Sequence, residues 1–356
     1  MTSIRTIGSG ATSGVADQPH AARRRRAPSS AGAHAVPHNS HAGPLAKMRI
    51  TWRDGSTMGA YGQPVIRPLS EGPKESRVQA LEAATHLRMI DSKIRERWNR
   101  AGWDDRGGDL TVVVNQKGMG GNAYFATTPN GRGEMGIGVS DARIGFRQSP
   151  AYSPSILFHE YVHGIVDTEL RNVGPKVEPY LGQREHRAIN ESIADVLSTG
   201  LLDTNWRNGQ EIRDGKPLRD LANPSVPTWN ASVRADTGLE EHTLSGIVSR
   251  AAVVAAESAG TLPVVDAWYA AIDVHYAREL KSVERAGAGR ALGAWVRATM
   301  RGAEQVGGAG SALVESTRAG WEAVGLGRYA SDAQLAATAT RRAPKAPGRR
   351  TDESSR

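Results

Sequence analysis

The chain has 356 residues, of which 39% are hydrophobic and a further 40 are glycine, so its apolar content is that of an ordinary globular protein. It has no cysteine, which excludes disulfide frameworks, thiolate metal sites and cysteine nucleophiles. It has no run of about 18 consecutive apolar residues, so no membrane span is expected.

The net charge of +8 lies in the two ends of the chain. Residues 1–46 carry five arginines against one aspartate, and residues 341–356 carry six basic residues against two acidic ones. Each end therefore has a formal charge of +4, and the middle of the chain is neutral. Because no aromatic residues are interleaved with the basic ones, both ends are interpreted as solvated tails, and no specific nucleic-acid partner is expected.

The N-terminal half is predicted to mix helix and strand. Residues 1–46 are rich in Gly, Ser, Ala, His, Pro and Arg, which favours a disordered basic tail or a short pro-segment. Residues 47–168 are predicted to form a mixed α/β lobe that begins with a helix over 78–101. Strands are predicted over residues 110–115, 122–127 and 135–139.

The C-terminal half is predicted to be helical. Residues 169–330 form this second lobe, and residues 331–356 are a basic disordered tail. The periodicity predicts helices over residues 153–169, 187–200, 240–258, 264–280, 286–304 and 310–323. The sequence therefore predicts an α+β fold.

The first helix after the strands carries a candidate metal site. Ser153 and Pro154 are typical of a helix N-cap and first turn. Apart from one tyrosine, the ionisable side chains between residues 155 and 166 are His159, Glu160 and His163. The two histidines, four residues apart, lie on one helix face and can share a metal ion. A pair of hydrogen-bonded core histidines is the alternative.

The next helix offers a third ligand. Glu191 and Asp195 share a face among apolar residues, and two buried carboxylates require a compensating cation or donor. Catalytic zinc commonly takes two histidines and one glutamate, while a further carboxylate orients a ligand histidine. A solvated acidic face is the alternative. His186 is interpreted as an ordinary residue of the helix start.

These residues resemble a known family. His159-Glu160-Tyr161-Val162-His163 followed by Asn190-Glu191-Ser192-Ile193-Ala194-Asp195 is similar to the paired signature of the thermolysin-like neutral metallopeptidases, a zincin family with an HExxH motif. The resemblance extends over most of residues 70–325. It implies two lobes, β-rich and helical, with the active-site helix between them.

The resemblance also implies one catalytic zinc ion and polypeptide substrates. The zinc ligands would be His159, His163 and Glu191, with Asn190 and Asp195 supporting them. Glu160 would be the general base, and His242, in the sequence Glu241-His242-Thr243-Leu244-Ser245-Gly246, would donate a hydrogen bond to the oxyanion.

Substrate contacts follow from the same resemblance. In Asn122-Ala123-Tyr124-Phe125, the Asn122 side chain and the Ala123 carbonyl would hold the substrate backbone. Arg219 would bind the carbonyl oxygen on the leaving side, and Ile156 and Leu218 would line the pocket for a large apolar side chain. Cleavage is therefore expected on the amino side of large hydrophobic residues.

The sequence departs from the family pattern in three places. The segment between His163 and Glu191 is longer than usual, so Tyr180 is only the nearest candidate for the transition-state tyrosine. Asp236 is the candidate to orient His242, with Glu240 and Glu241 as alternatives. Tight calcium dependence is not expected, because Ser155 and Leu202 occupy positions where secreted relatives have carboxylates.

Two other functions stay open from the sequence. One is a zinc-binding protein or effector with reduced catalysis whose basic tails mediate binding, and the other is a nucleic-acid-associated protein with a vestigial peptidase body. The N-terminus has no apolar segment of a classical signal peptide, so export by a non-classical route is expected. If residues 1–46 are a short pro-segment, the protein would be made as a zymogen. A monomer is expected.

Overall fold

The structure is a computed structural model. It describes residues 48–59, 63–171, 183–236, 238–282 and 290–330.

A mixed sheet forms the N-terminal part of the described chain. Its strands lie in the order β2-β1-β3-β5-β4. β1 pairs with β3, and β3 with β5, in parallel, while the outer pairs β1–β2 and β4–β5 are antiparallel. Among the strands that the structure describes, β4 is thus at the edge, where a further chain can pair with its outer side. The strands are β1 Ile50–Met58, β2 Pro64–Pro68, β3 Leu110–Gln116, β4 Ala123–Thr127 and β5 Gly133–Gly138.

A long helix, α1 (Lys74–Trp98), lies between the sheet and the helical part. Its apolar face is completely buried at Leu87, Ile90 and Ile94. The helix ends where Asn99 adopts a left-handed conformation with φ of 52°. The predicted helix over 78–101 therefore exists, but it begins and ends a few residues earlier.

The C-terminal part of the described chain is helical. α2 packs against α3, α3 against α5, and α5 against α9. A short ribbon, β6 (Arg207–Asn208) with β7 (Arg219–Asp220), follows α3. The helices are α2 Pro154–Arg171, α3 Arg184–Leu202, α4 Ala231–Ala235, α5 Glu241–Ala259, α6 Thr261–Ala270, α7 Tyr276–Lys281, α8 Arg290–Gly307 and α9 Ala312–Ala323.

Both parts share one hydrophobic core. The Trp98 ring of α1 stacks on the Tyr269 ring of α6 with centroids 4.1 Å apart. The Trp98 Nε1 atom also donates to Asp266 on α6, over 3.1 Å. These contacts join the β-rich and helical parts, and the predicted two-lobed α+β fold is confirmed. The lobe and tail boundaries at residues 46, 168 and 330 stay predictions.

Two predictions of individual elements were incomplete. The strands β1 and β2 were missed, because β1 contains Asp54-Gly55, a pair of residues typical of turns. The helix predicted over 264–280 is interrupted by a π-helical turn, Ala271–His275, between α6 and α7. Among the described residues, no helix is long and apolar enough to cross a membrane.

Candidate metal centre and active site

The N-terminal end of α2 fixes the position of the HExxH residues. The Ser153 Oγ atom accepts a hydrogen bond from the Ile156 amide over 3.2 Å, as expected of an N-cap. The helix then buries Leu157, Phe158 and Val162 in the core. The opposite side of α2, which carries His159, Glu160 and His163, faces a cleft.

Three candidate ligand residues converge in this cleft. The ligand atoms of His159, His163 and Glu191 all lie within 4.8 Å of one another. The two histidine Nε2 atoms are 3.0 Å apart, and the Glu191 oxygens lie 3.2 Å from that of His159 and 3.6 Å from that of His163. α2 supplies the two imidazoles and α3 the carboxylate.

The outer nitrogens of both imidazoles are occupied. His159 Nδ1 lies 2.9 Å from Asp195 Oδ1, and His163 Nδ1 lies 3.2 Å from Asn190 Oδ1. Because both oxygens are acceptors, each Nδ1 can donate to its oxygen, which leaves each Nε2 turned towards Glu191 and available to a metal ion or a proton. Lone pairs and a carboxylate at these distances require a cation among them, and two histidines with one glutamate suit zinc. The donor set therefore fits the metal.

The pKa values of the residues in the metal-free cleft also indicate that a positive charge is favoured there. Burial and the neighbouring Arg219 lower the pKa of His159, but the Asp195 and Glu191 carboxylates outweigh them and raise it to about 9. Burial lowers the pKa of His163 to about 4. Burial alone would raise the pKa of Glu191, but the adjacent imidazoles hold it well below its usual range. One positive charge is thus favoured between these groups.

Asp195 also binds an arginine. Its carboxylate accepts a hydrogen bond from Arg219 Nε over 2.9 Å, in addition to the one from the His159 imidazole. Asp195 is 1% exposed, so the guanidinium offsets a buried negative charge. The pKa of Asp195 is lowered because these cations outweigh the effect of burial.

Glu160 and His242 complete the polar lining of the cleft. Burial raises the pKa of Glu160 to about 7, although the nearby His159 favours the ionised form. His242 stands in the first turn of α5, with its Nε2 atom 3.5 Å from a Glu191 oxygen. A carboxylate with a pKa near neutrality can accept and return a proton, and an imidazole can donate a hydrogen bond.

The cleft has a volume of about 430 Å³ and is walled on one side by β4. Asn122 and Ala123 both line it, and the Asn122 Oδ1 atom accepts from the Ala123 amide over 2.9 Å. Ile156 and Leu218 line it together with Phe146. The predicted metal-binding, catalytic and substrate-binding residues thus share one cleft.

Comparisons with known proteins agree with this geometry. Residues 182–326 match the model of the thermolysin metallopeptidase α-helical domain. The chain is 25% identical over 268 residues to bacillolysin from Brevibacillus brevis, a match that covers 69% of this chain and 46% of that protein. The chain thus spans about half the length of this curated relative.

A solved structure shows the same fold. The precursor of protealysin, a metalloproteinase from Serratia proteamaculans, superposes with a TM-score of 0.59 at 19% identity, over 82% of this chain and 92% of that one. The chain is similar to the thermolysin-like metallopeptidases in its helical domain and in its fold. The predicted family resemblance is confirmed by the family model, the curated relative and the fold together.

Some residues predicted from the thermolysin-like pattern are not brought into the cleft. The Asp236 carboxylate accepts from the Gly238 amide over 2.9 Å and is not among the residues that line the cleft. Asp236 is exposed and uses Oδ1 within its own loop, so its role in orienting His242 stays a prediction. Glu241, one of the two alternatives to Asp236, has its Oε2 atom 3.7 Å from Arg187 Nη2. Tyr180 lies outside the described residues.

Ser155, at a position where secreted thermolysin-like enzymes have a carboxylate, makes a different set of bonds. Its Oγ atom donates to Glu211 over 3.0 Å and accepts from the Gly209 amide over 2.9 Å. Ser153 donates to the same Glu211 oxygen over 2.8 Å. Hydroxyl donors therefore satisfy this carboxylate and join α2 to the segment after β6.

Asn208 was not predicted as a site residue. Its completely buried amide nitrogen lies 3.4 Å from Asp195 Oδ1 and 3.4 Å from the Ser155 carbonyl oxygen. Asn208 is also the ribbon partner of Arg219. It thereby connects the ribbon to α2 and α3. The available signal was an asparagine in the polar segment Trp206-Arg207-Asn208-Gly209-Gln210-Glu211, where neighbouring polar residues do not indicate which of them is buried.

Proposed function

We propose that this protein is a zinc-dependent endopeptidase. The observation that supports the proposal is the convergence of His159, His163 and Glu191 in a cleft that also contains Glu160 and His242. A bound zinc ion would supply Lewis acidity, polarising the scissile carbonyl and making water more acidic.

The chain's own residues then provide the proton transfers. Glu160, whose pKa is raised to about 7, takes the proton from the attacking water and passes it to the leaving amine. His242 donates a hydrogen bond to the oxygen that gains negative charge, and Arg219 binds the carbonyl oxygen on the leaving side. No covalent intermediate is required.

The shape of the cleft determines where the substrate binds. An extended polypeptide would pair through its main chain with the free edge of β4, beside Asn122 and Ala123. A large apolar side chain just after the scissile bond would enter between Ile156 and Leu218. We therefore propose cleavage on the amino side of large hydrophobic residues.

The test is the variant Glu160→Gln in the full chain, compared with Glu257→Gln at an exposed position of α5. Glu160→Gln should fold and retain about one equivalent of zinc, because Glu160 is not a ligand, but proteolysis should fall by more than about 100-fold. Zinc content, circular dichroism and hydrolysis of a quenched fluorescent peptide are the measurements. Unchanged hydrolysis by Glu160→Gln, or a zinc-loaded wild type that cleaves nothing, would contradict the proposal.

A further inference from the structure

The two ends of the cleft differ in chemistry. β4 and α2 run side by side, because Ala123 clusters with Ile156 at one end and Thr127 bonds Asp167 at the other. The first end is apolar, with Phe146 in the same cluster. The second end is polar and carries a carboxylate. The metal-binding histidines lie between the two ends.

Asp167 stands at the rim of the polar end. It is on the same face of α2 as His159 and His163, and it lines the cleft. Its side chain is 54% exposed. Oδ2 accepts from Thr127 Oγ1 over 2.5 Å and from Arg171 over 2.9 Å, whereas Oδ1 has no hydrogen-bond partner among the residues that the structure describes. One oxygen of this carboxylate is therefore free to accept from a substrate.

Helix and strand dimensions give the position that Asp167 would contact. Asp167 follows His163 by four residues, which is about 6 Å along a helix that rises ~1.5 Å per residue. An extended substrate advances ~3.3 Å per residue, so this distance corresponds to about two residues. Because the apolar pocket takes the residue after the scissile bond, Asp167 faces the second or third residue before it.

We propose that Asp167 is a specificity-determining residue that favours a basic side chain at the second or third position before the scissile bond. The inference rests on the proposed endopeptidase function, which fixes the direction of the substrate. The long side chains of lysine and arginine can reach a carboxylate at the rim, whereas glutamate at the same position is repelled by it.

Arg171 competes with the substrate for this carboxylate. It lies one helical turn beyond Asp167, and its side chain is 40% exposed. An exposed pair of this kind is weak, so a substrate cation can exchange with it or bind Oδ1 beside it. Removing Arg171 should therefore strengthen the preference for a basic side chain, and removing Asp167 should abolish it.

The experiment uses the zinc-loaded full chain and quenched peptides with a phenylalanine after the scissile bond. The peptides differ only in lysine, glutamine or glutamate at the second or the third preceding position. Wild type should show a kcat/KM about two- to fivefold higher for lysine than for glutamine, and lower still for glutamate. The differences should shrink in about 1 M salt, where exposed charges are screened.

Three variants identify the source of the preference. Asp167→Asn should remove the dependence on charge, and Arg171→Gln should increase the lysine-to-glutamine ratio. Asp203→Asn, at the exposed C-terminal end of α3, should leave the ratio unchanged. Equal kcat/KM for all peptides in wild type, or a preference that survives Asp167→Asn, would overturn the inference and leave the proposed function intact. Cleavage of no peptide at all would contradict both.

Discussion

At the scale of single residues, Asp195 combines two tasks. It accepts from the His159 imidazole and from the Arg219 guanidinium, each over 2.9 Å. A neutral amide cannot accept both hydrogens at full strength, because one of its two polar atoms is itself a donor. The carboxylate is therefore suited both to orient the candidate metal ligand His159 and to hold Arg219, the proposed substrate-binding residue.

We expect Asp195→Asn to weaken zinc binding by about 10- to 100-fold, the usual effect of removing the partner of a ligand histidine. The affinity can be measured by competition with a chromogenic chelator. Asp203→Asn is the matched control, because Asp203 is exposed and its left-handed φ of 55° suits asparagine. Equal zinc affinity in Asp195→Asn and wild type would show that the carboxylate does not position His159.

His186 makes the folded state sensitive to acid. It is 5% exposed, and its Nδ1 atom lies 3.0 Å from the Tyr276 hydroxyl, away from the cleft. Burial, with a smaller contribution from Arg187, lowers its pKa to about 4. Because the unfolded chain binds this proton more readily, the stabilisation is complete above pH ~6.5 and is lost as the pH falls towards 4.

We expect the titration of His186 to lower the free energy of unfolding by about 2 kcal/mol when the pH falls from about 7.5 to 5. His186→Gln can still accept from Tyr276 but does not titrate, so its loss of stability over this interval should be smaller by that amount. Urea denaturation of both zinc-loaded proteins at the two pH values gives the difference. Parallel pH dependences would mean that folding does not lower the pKa of His186.

At the scale of elements, those defined by local sequence patterns could be predicted, whereas those that depend on tertiary contacts could not. The metal-binding helix could be predicted closely, because its N-cap, its apolar face and its HExxH spacing are all local features. β1 could not, because Asp54 sits inside a strand only through contacts that are distant in sequence. Its carboxylate accepts from Arg67 over 2.7 Å and from Ser76 over 2.5 Å.

The same distinction applies to the site. The candidate metal ligands, Glu160 and His242 could be named from motifs, whereas the placement of Asn208 and Asp236 depends on how segments that are distant in sequence pack together. The π-helical turn after α6 leaves no local signal either. The turn follows α6, which packs closely against α8. A Cβ atom on Gly302 of α8 would lie 2.2 Å from the carbonyl oxygen of Ala267 in α6.

The approach of α2 to β4 sets the width of the cleft. A Cβ atom on Gly164 would lie 2.5 Å from a ring carbon of Phe125, which β4 carries. We expect Gly164→Ala to lower stability by about 1–3 kcal/mol through overpacking. Helix propensity alone would give the opposite sign, a gain of about 1 kcal/mol.

The displaced β4 should also raise KM for extended peptides. Thermal unfolding and peptide kinetics measure the two effects, and Gly238→Ala, whose added Cβ would meet an ordinary contact at 3.4 Å, is the control. A Gly164→Ala protein with a higher melting temperature and an unchanged KM would show that this contact does not define the cleft.

At the scale of the whole molecule, the candidate zinc site connects α2 to α3 near the junction of the two parts of the core. An ion that binds only the folded chain stabilises it by about 2.7 kcal/mol when its concentration is 100 times its Kd. Stripping zinc with phenanthroline should therefore lower Tm by about 5–10 °C in a protein of this size.

Millimolar calcium should leave the Tm of the zinc-loaded protein unchanged. The carboxylate of Glu211 is already bonded by Ser153 and Ser155, and calcium prefers several anionic oxygens. Differential scanning fluorimetry with zinc, calcium or neither separates the two ions. A rise in the Tm of the zinc-loaded protein on adding calcium would reveal a second cation site.

On the proposed endopeptidase function, the outer edge of β4 would limit which proteins can be digested. A chain can pair with this edge only where its own amide and carbonyl groups are unengaged, and in a folded protein nearly all of them are already paired. Compact native proteins would therefore resist attack, whereas frayed termini, surface loops and denatured chains would be cut. The folding state of the target thus matters as much as its amino-acid sequence.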